Sequence, residues 1–214
     1  KVTEIYGTGM TEFPRRGDKV ASETVHRLAE EGVNTTQVVA QACHEAGLAM
    51  YASMRMNGDY PVEMWEGSFA KFANSNFWWQ HPEYRLVTAK GSRLTKMSYA
   101  FPEVREFKLA ILREVVDAGI DGINLDFQRH PDFFSYEEPL LAAFRERYGV
   151  EPTEVPLEDP RWAPIRFAMM NEFVGAVRKL LDERGAKTGR RLGLSARIDW
   201  RRTELWGCDV ATWL

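Results

Sequence analysis

In Asp121-Gly122-Ile123-Asn124-Leu125-Asp126-Phe127 apolar and polar residues alternate. Strand side chains alternate between faces, so Ile123, Leu125 and Phe127 share one side and Asn124 and Asp126 the other. Two further stretches repeat this design. In Tyr51-Ala52-Ser53-Met54-Arg55-Met56-Asn57 the apolar set is Ala52, Met54 and Met56, against Tyr51, Ser53, Arg55 and Asn57. In Leu192-Gly193-Leu194-Ser195-Ala196-Arg197-Ile198-Asp199 it is Leu192, Leu194, Ala196 and Ile198, against Gly193, Ser195, Arg197 and Asp199. A sheet covered by helices on both faces would be apolar on both. A parallel barrel whose lumen opens into a polar site at the strand C-termini has this pattern, and so does a one-sided sheet with a solvated face.

The intervening sequence alternates helix with strand. Asp18 to Glu31 has a helical pattern, and Thr35 to Ala46 a second, with Val38, Val39, Ala42 and Cys43 on one face and Gly47 after its end. Gly58 to Arg93 reads as irregular and aromatic-rich, followed by a short strand at Lys96 to Ala100. Pro102 suits the first position of a helix reaching Ala118, with Val104, Phe107, Ile111 and Val115 as its stripe. An excursion from Gln128 to Pro160 holds a helix near Glu138 to Tyr148. Arg161 to Gly185 is a long helix with Trp162, Ile165, Met169, Phe173, Val177 and Leu180 inward. With strands separated by more than hairpin lengths, the expected fold is α/β, a (β/α)8 TIM-barrel type, present here in part as a single domain over residues 1–214. The rival is an open nucleotide-binding sheet, whose best support is Gly7-Thr8-Gly9-Met10-Thr11-Glu12, where Glu12 replaces the third glycine. Asp209-Val210-Ala211-Thr212-Trp213-Leu214 reads as the first turn of a helix, so a piece of a longer protein is expected.

Composition excludes several classes. The 214 residues are 44% hydrophobic, too apolar for a disordered chain. A net charge of −3 argues against a general nucleic-acid binder. No apolar run is long enough for a membrane span, and no secretory leader is visible, although secretion or a periplasmic location suits a polysaccharide-active enzyme. Cys43 and Cys208 make no framework, and no two histidines stand at H-x-H spacing, so neither metal nor cofactor is expected. There is no G-x-S-x-G to carry a serine nucleophile.

Asp126 carries the chemistry. An ionised carboxylate ending a buried strand is costly unless paired or put to use. One reading pairs it structurally with Arg129 or Arg55; the other makes it catalytic. Asp199 is expected at the same level on the last strand, within the roughly 5–10 Å that spans retaining and inverting glycosidases. Arg55, Asn57, Asn124, Arg129, His130 and Arg197 then bind sugar, and Trp78 and Trp79 provide stacking surfaces. Ile123 and Leu125 should pack on the helix face running from Val104 to Val115.

Val116-Asp117-Ala118-Gly119-Ile120-Asp121-Gly122-Ile123-Asn124-Leu125-Asp126-Phe127-Gln128-Arg129-His130-Pro131 resembles a strand of bacterial glycoside-hydrolase-like TIM-barrel proteins, the family-10-like glycosyl hydrolases. Phe77-Trp78-Trp79-Gln80-His81-Pro82-Glu83-Tyr84 and Ala100-Phe101-Pro102-Glu103-Val104-Arg105 are similar to two further segments of that family. The resemblance runs from about Leu48 to Leu214. It implies an eight-stranded barrel and a carbohydrate substrate. Asp199 is not carried over from the family and rests on strand alternation alone. The expected function is glycosidic-bond hydrolysis by paired carboxylates, Asp126 as nucleophile or base and Asp199 as acid. The alternative is a glycan-binding barrel without catalysis.

Overall fold

Gly122–Asp126 (β4) is the middle strand of a three-stranded parallel sheet. Tyr51–Arg55 (β1) lies on one side and Gly193–Arg197 (β5) on the other. The computed structural model describes residue 24 and residues 27–61, 74–129 and 131–214. The sheet is in register across all three strands: Tyr51, Gly122 and Gly193 form one row, Ser53, Asn124 and Ser195 the next, and Arg55, Asp126 and Arg197 the last. The alternation read from the sequence therefore lines up side by side, apolar rows interleaved with polar ones.

The apolar rows face the core. Ile123 and Leu125 are fully buried together with Val104, Leu112, Val116, Phe173, Val177 and Leu181. Those partners come from Pro102–Asp117 (α3) and Ala163–Thr188 (α5), the two long helices packed on this side. Both inward stripes differ slightly from the expected ones. In α3 the buried set is Val104, Arg105, Lys108, Leu109, Leu112 and Val116, while Phe107 instead stacks on Phe77 with ring centroids 4.2 Å apart. In α5, Met170 and Leu181 are buried where Met169 and Leu180 were expected; Ile165, Phe173 and Val177 are buried as read. On Thr35–Glu45 (α1) the burial is different altogether: Ala40 is the buried residue, and Val38 and Val39 are about half exposed. Asn34 caps that helix, its side chain accepting from Thr36 N–H and Gln37 N–H.

The eight-stranded barrel is not what the described residues form. β1 and β5 are edge strands, and the polar face of the sheet is open: Ser53, Arg55, Ser195 and Arg197 are all exposed. The reason lies in the long connections. A closed barrel needs further parallel strands beside β1 and β5, and among the described residues neither connection supplies one. Here the β1-to-β4 connection contains Asn76–Gln80 (α2) and an antiparallel pair, Arg85–Val87 (β2) with Arg93–Met97 (β3). The β4-to-β5 connection contains loops, Glu138–Tyr148 (α4) and α5. The alternating pattern belongs to a one-sided sheet with a solvated face. The hairpin was also missed, because Arg85–Val87 is short and Arg93–Met97 carries charge. Its signal is the turn at Lys90-Gly91-Ser92, where Gly91 takes φ +81° and Thr88 N–H donates to Ser92 O at 2.9 Å. The glycine-rich stretch at Gly7 to Glu12 lies outside the described residues.

Buried polar side chains fasten the hairpin to the C-terminal end of the sheet. Asn57, fully enclosed just past β1, donates its Nδ2 to Met97 O at 2.9 Å and to Asp132 O at 2.7 Å. Asp59 accepts Met97 N–H at 3.0 Å. Among the described residues Glu137 is the deepest carboxylate, 1% exposed, and accepts from Val87 N–H, Ser98 Oγ and Ser135 N–H. Burial pushes its pKa up against those three donors, and the net displacement is upward. At the opposite end Asp121 accepts from Met50 N–H and His44 Nε2, both at 2.7 Å, and from Arg190 at 2.8 Å. Burial alone would raise Asp121, but Met50 N–H, His44 and Arg190 together hold it below the usual carboxylate range.

Candidate functional site

Asp126 is the last residue of β4, level with Arg55 on one side and Arg197 on the other. The residue is 6% exposed. Its two oxygens are used unequally. Oδ1 accepts the backbone N–H groups of Gln128 at 3.1 Å and Arg129 at 3.2 Å, which fixes the carboxylate plane as the chain leaves the strand. Oδ2 has Arg197 Nη1 at 3.7 Å, an ion-pair distance beyond hydrogen bonding. Arg197 spends its stronger contact elsewhere, donating Nε–H to Gln128 Oε1 at 2.7 Å. Arg55 donates to the Tyr60 hydroxyl at 3.2 Å. Two guanidinium groups thus flank one carboxylate on an open sheet face.

The row below is a hydrogen-bonded chain. Ser53 Oγ donates to Asn124 Oδ1 at 3.1 Å, and Asn124 Nδ2 donates to Ser195 Oγ at 2.9 Å. Asn124 is therefore held in one amide orientation. Ser53 and Ser195 belong to the polar set that alternation identifies, but only their register with Asn124 shows them to be one constellation. In the lowest row, Tyr51 lies over the glycines of β4 and β5. A Cβ at Gly193 would overlap the Tyr51 hydroxyl, and one at Gly122 would overlap the Tyr51 ring and come within 2.7 Å of Gly193 O. Two glycines on this face are thus explained by the ring that covers them.

The remaining expected site residues divide. Arg129 is exposed beside Asp126. Trp79 is 38% exposed, in T-shaped contact with Trp78. Trp78 itself is core: 1% exposed, its Nε1–H donating to Thr95 O at 2.7 Å, with the Arg85 guanidinium 3.4 Å from its ring centroid. That enclosure removes it as a sugar surface. Asn57 is likewise enclosed, its amide committed to the hairpin. His130 lies outside the described residues.

Asp199 does not stand level with Asp126. Arg197 occupies that position, and Asp199 follows two residues later, past the end of β5. There its Oδ1 accepts Arg201 N–H at 3.0 Å and Arg201 Nε–H at 3.3 Å. Those contacts, the Arg201 backbone N–H foremost, hold its pKa below the usual range. A general acid needs the reverse. Among the described residues no three His, Cys, Asp or Glu side chains are grouped to hold a metal, and no helix is long and apolar enough to cross a membrane.

No family model and no curated protein matches the chain. Among solved structures it is similar to alpha-L-fucosidase isoenzyme 2 from Paenibacillus thiaminolyticus, at a TM-score of 0.50 and 14% identity. The match covers 79% of this chain but 24% of that one, so the chain spans about a quarter of the length of its structural neighbour. At that identity the likeness is one of fold alone.

Proposed function

We propose that the polar face of this sheet acts on the glycosidic bonds of an oligo- or polysaccharide, with Asp126 as nucleophile or base. The observation that carries this reading is the asymmetry of Asp126. One oxygen is fixed by two backbone donors, and the other makes no hydrogen bond, with Arg197 Nη1 3.7 Å away. A carboxylate held this way is oriented but not consumed. The fold likeness to a fucosidase supports the same chemistry and makes α-L-fucosides sensible members of a substrate panel. Arg55, Arg129 and Arg197 would hydrogen-bond sugar hydroxyls, beside the Ser53–Asn124–Ser195 chain. Asp199 serves as the acid only if substrate displaces Arg201 from it.

A second reading, glycan binding without catalysis, is favoured by one observation: the Asp126 row holds two arginines and no second carboxylate. A panel of activated aryl glycosides separates the two. Catalysis predicts that one of them is cleaved, that Asp126→Ala abolishes the cleavage, and that added azide restores it with a glycosyl azide as product. Binding alone predicts retention of a glycan with no cleavage of any panel member.

A further inference from the structure

Three arginines meet one carboxylate at the last row of the sheet. Arg55 and Arg197 stand level with Asp126 on either side, and Arg129 follows where the chain leaves β4. All three arginines are exposed. Elsewhere on the described surface arginines are matched by acids: Arg145 with Glu138 and Glu151, Arg161 with Asp159, Arg190 with Asp121 and Arg201 with Asp199. At this row the ion-pair contact is Arg197 with Asp126, at 3.7 Å. Arg55 and Arg129 have no acidic partner among the described residues. The chain as a whole carries a net charge of −3, so the positive excess is local to this row.

Neutral groups hold two of these guanidinium groups in place. Arg55 Nη1 donates to the Tyr60 hydroxyl at 3.2 Å. Tyr60 is itself clamped: its N–H donates to Asn74 Oδ1 at 2.8 Å, and Asn74 Nδ2 donates to its carbonyl at 2.9 Å, with Asn74 1% exposed. The Nε–Nη2 edge of Arg55 stays unspent among the described residues, and that edge takes an oxyanion through two parallel bonds. Arg197 is held in the same manner, its Nε–H on Gln128 Oε1 at 2.7 Å and its Nη1 near Asp126. An arginine held by a neutral acceptor keeps its charge available and has less freedom left to lose on binding. The acids that follow β1 and β5 are used elsewhere: Asp59 accepts Met97 N–H, and Asp199 accepts from Arg201.

We infer that the sugar unit taken by this row is anionic, a uronate or a sulfate ester, with its acid group on the free edge of Arg55, while Arg129 and Arg197 offset the repulsion from Asp126. Adjacent strands lie about 4.8 Å apart, comparable to the width of one sugar ring, so a unit centred on Asp126 places a substituent over Arg55. Hydroxyls alone would leave that guanidinium with neutral acceptors, which bind it about half as strongly as an anion does. This assignment rests on the carbohydrate reading of the Asp126 row and names the class of carbohydrate; it does not require Asp126 to cleave anything.

The test is affinity electrophoresis of the full chain in gels cast with a sulfated fucan, the same fucan desulfated, polygalacturonate, dextran, and polyglutamate as a polyanion without sugar. The sulfated fucan or polygalacturonate should be retained at least about tenfold more tightly than either neutral polymer and than polyglutamate, the gain expected for one charge-assisted bidentate contact on a sugar, and which of the two is retained tells sulfate from carboxylate. Arg55→Gln should weaken that retention about tenfold, and Arg55→Lys by less, because it keeps the charge and loses the fork. Arg113→Gln, which removes an exposed arginine from α3, should leave it unchanged. Unfolding temperatures should match the parent in all three variants. Asp126→Asn should hold the anionic glycan at least as tightly as the parent. Preference for a neutral polymer, equal retention by polyglutamate, full retention by Arg55→Gln, or equal losses in Arg55→Gln and Arg113→Gln would each overturn the assignment. Retention of an anionic glycan without cleavage of any aryl glycoside removes the catalytic reading and leaves this one standing; cleavage of a neutral aryl glycoside with retention of neutral polymers alone does the reverse, and retention of no glycan overturns both.

Discussion

Arg197 stands level with Asp126 across the β4–β5 pair, yet its Nη1 stops 3.7 Å from Asp126 Oδ2. The pair is therefore a field rather than a bond, with the Arg197 side chain 56% exposed. Exposed pairs of this kind contribute less than about 1 kcal/mol. Arg197→Gln should lower the unfolding temperature by less than about 3 °C. Scanning calorimetry checks it; a much larger loss would mean that Arg197 is a structural partner of Asp126 and that the carboxylate is already spoken for.

Glu137 presents acceptors to three donors, so an amide in its place turns one acceptor into a donor facing a donor. Glu137→Gln should cost about 2 kcal/mol, the range for a buried group left mismatched. Denaturant unfolding measures the cost directly. An unchanged midpoint would show that the hairpin is not held through this side chain.

The two glycines beneath Tyr51 make unequal demands. At Gly193 the obstruction is the Tyr51 side chain, which is half exposed and can swing away. At Gly122 the obstruction includes the Gly193 carbonyl, which cannot. Gly122→Ala should therefore destabilise by about 2 kcal/mol and Gly193→Ala by clearly less. Adding Tyr51→Ala should relieve the Gly193 variant and leave most of the Gly122 penalty. A double-mutant cycle reads both. Full rescue at Gly122 would place the clash in the ring alone.

Asp121 gives the acid limb of stability its direction. Its folded pKa lies below the unfolded value near 3.8, so its contribution is present above that value and fades as pH falls through the folded one. Asp121→Asn should be less stable near neutral pH and lose less stability on acidification. Unfolding free energies measured between about pH 6 and 2.5 test this; parallel curves for the two proteins would contradict it.

Much of the sheet was legible because a period of two is a strong signal: the faces of Ile123, Asn124, Leu125 and Asp126 lie as alternation requires. Alternation does not say whether a polar face closes on a lumen or opens to solvent, and that distinction separates this sheet from the expected barrel. Register was also out of reach. Asp199 and Arg197 share a face by parity, and only the pairing of Gly122 with Gly193 shows which of them meets Asp126. The aromatic segment misled in one respect. Trp78 and Trp79 are adjacent and chemically identical, and α2 turns one into the core under β3 and the other outward.

Asp126→Asn separates a chemical role for Asp126 from a structural one. The asparagine oxygen can keep the Gln128 and Arg129 N–H bonds while the charge is lost. Single-turnover cleavage of the best aryl glycoside, measured beside thermal unfolding, should fall by about three orders of magnitude with the unfolding temperature nearly unchanged. Undiminished cleavage by a stably folded Asp126→Asn chain would contradict the chemical role and remove Asp126 from the reaction.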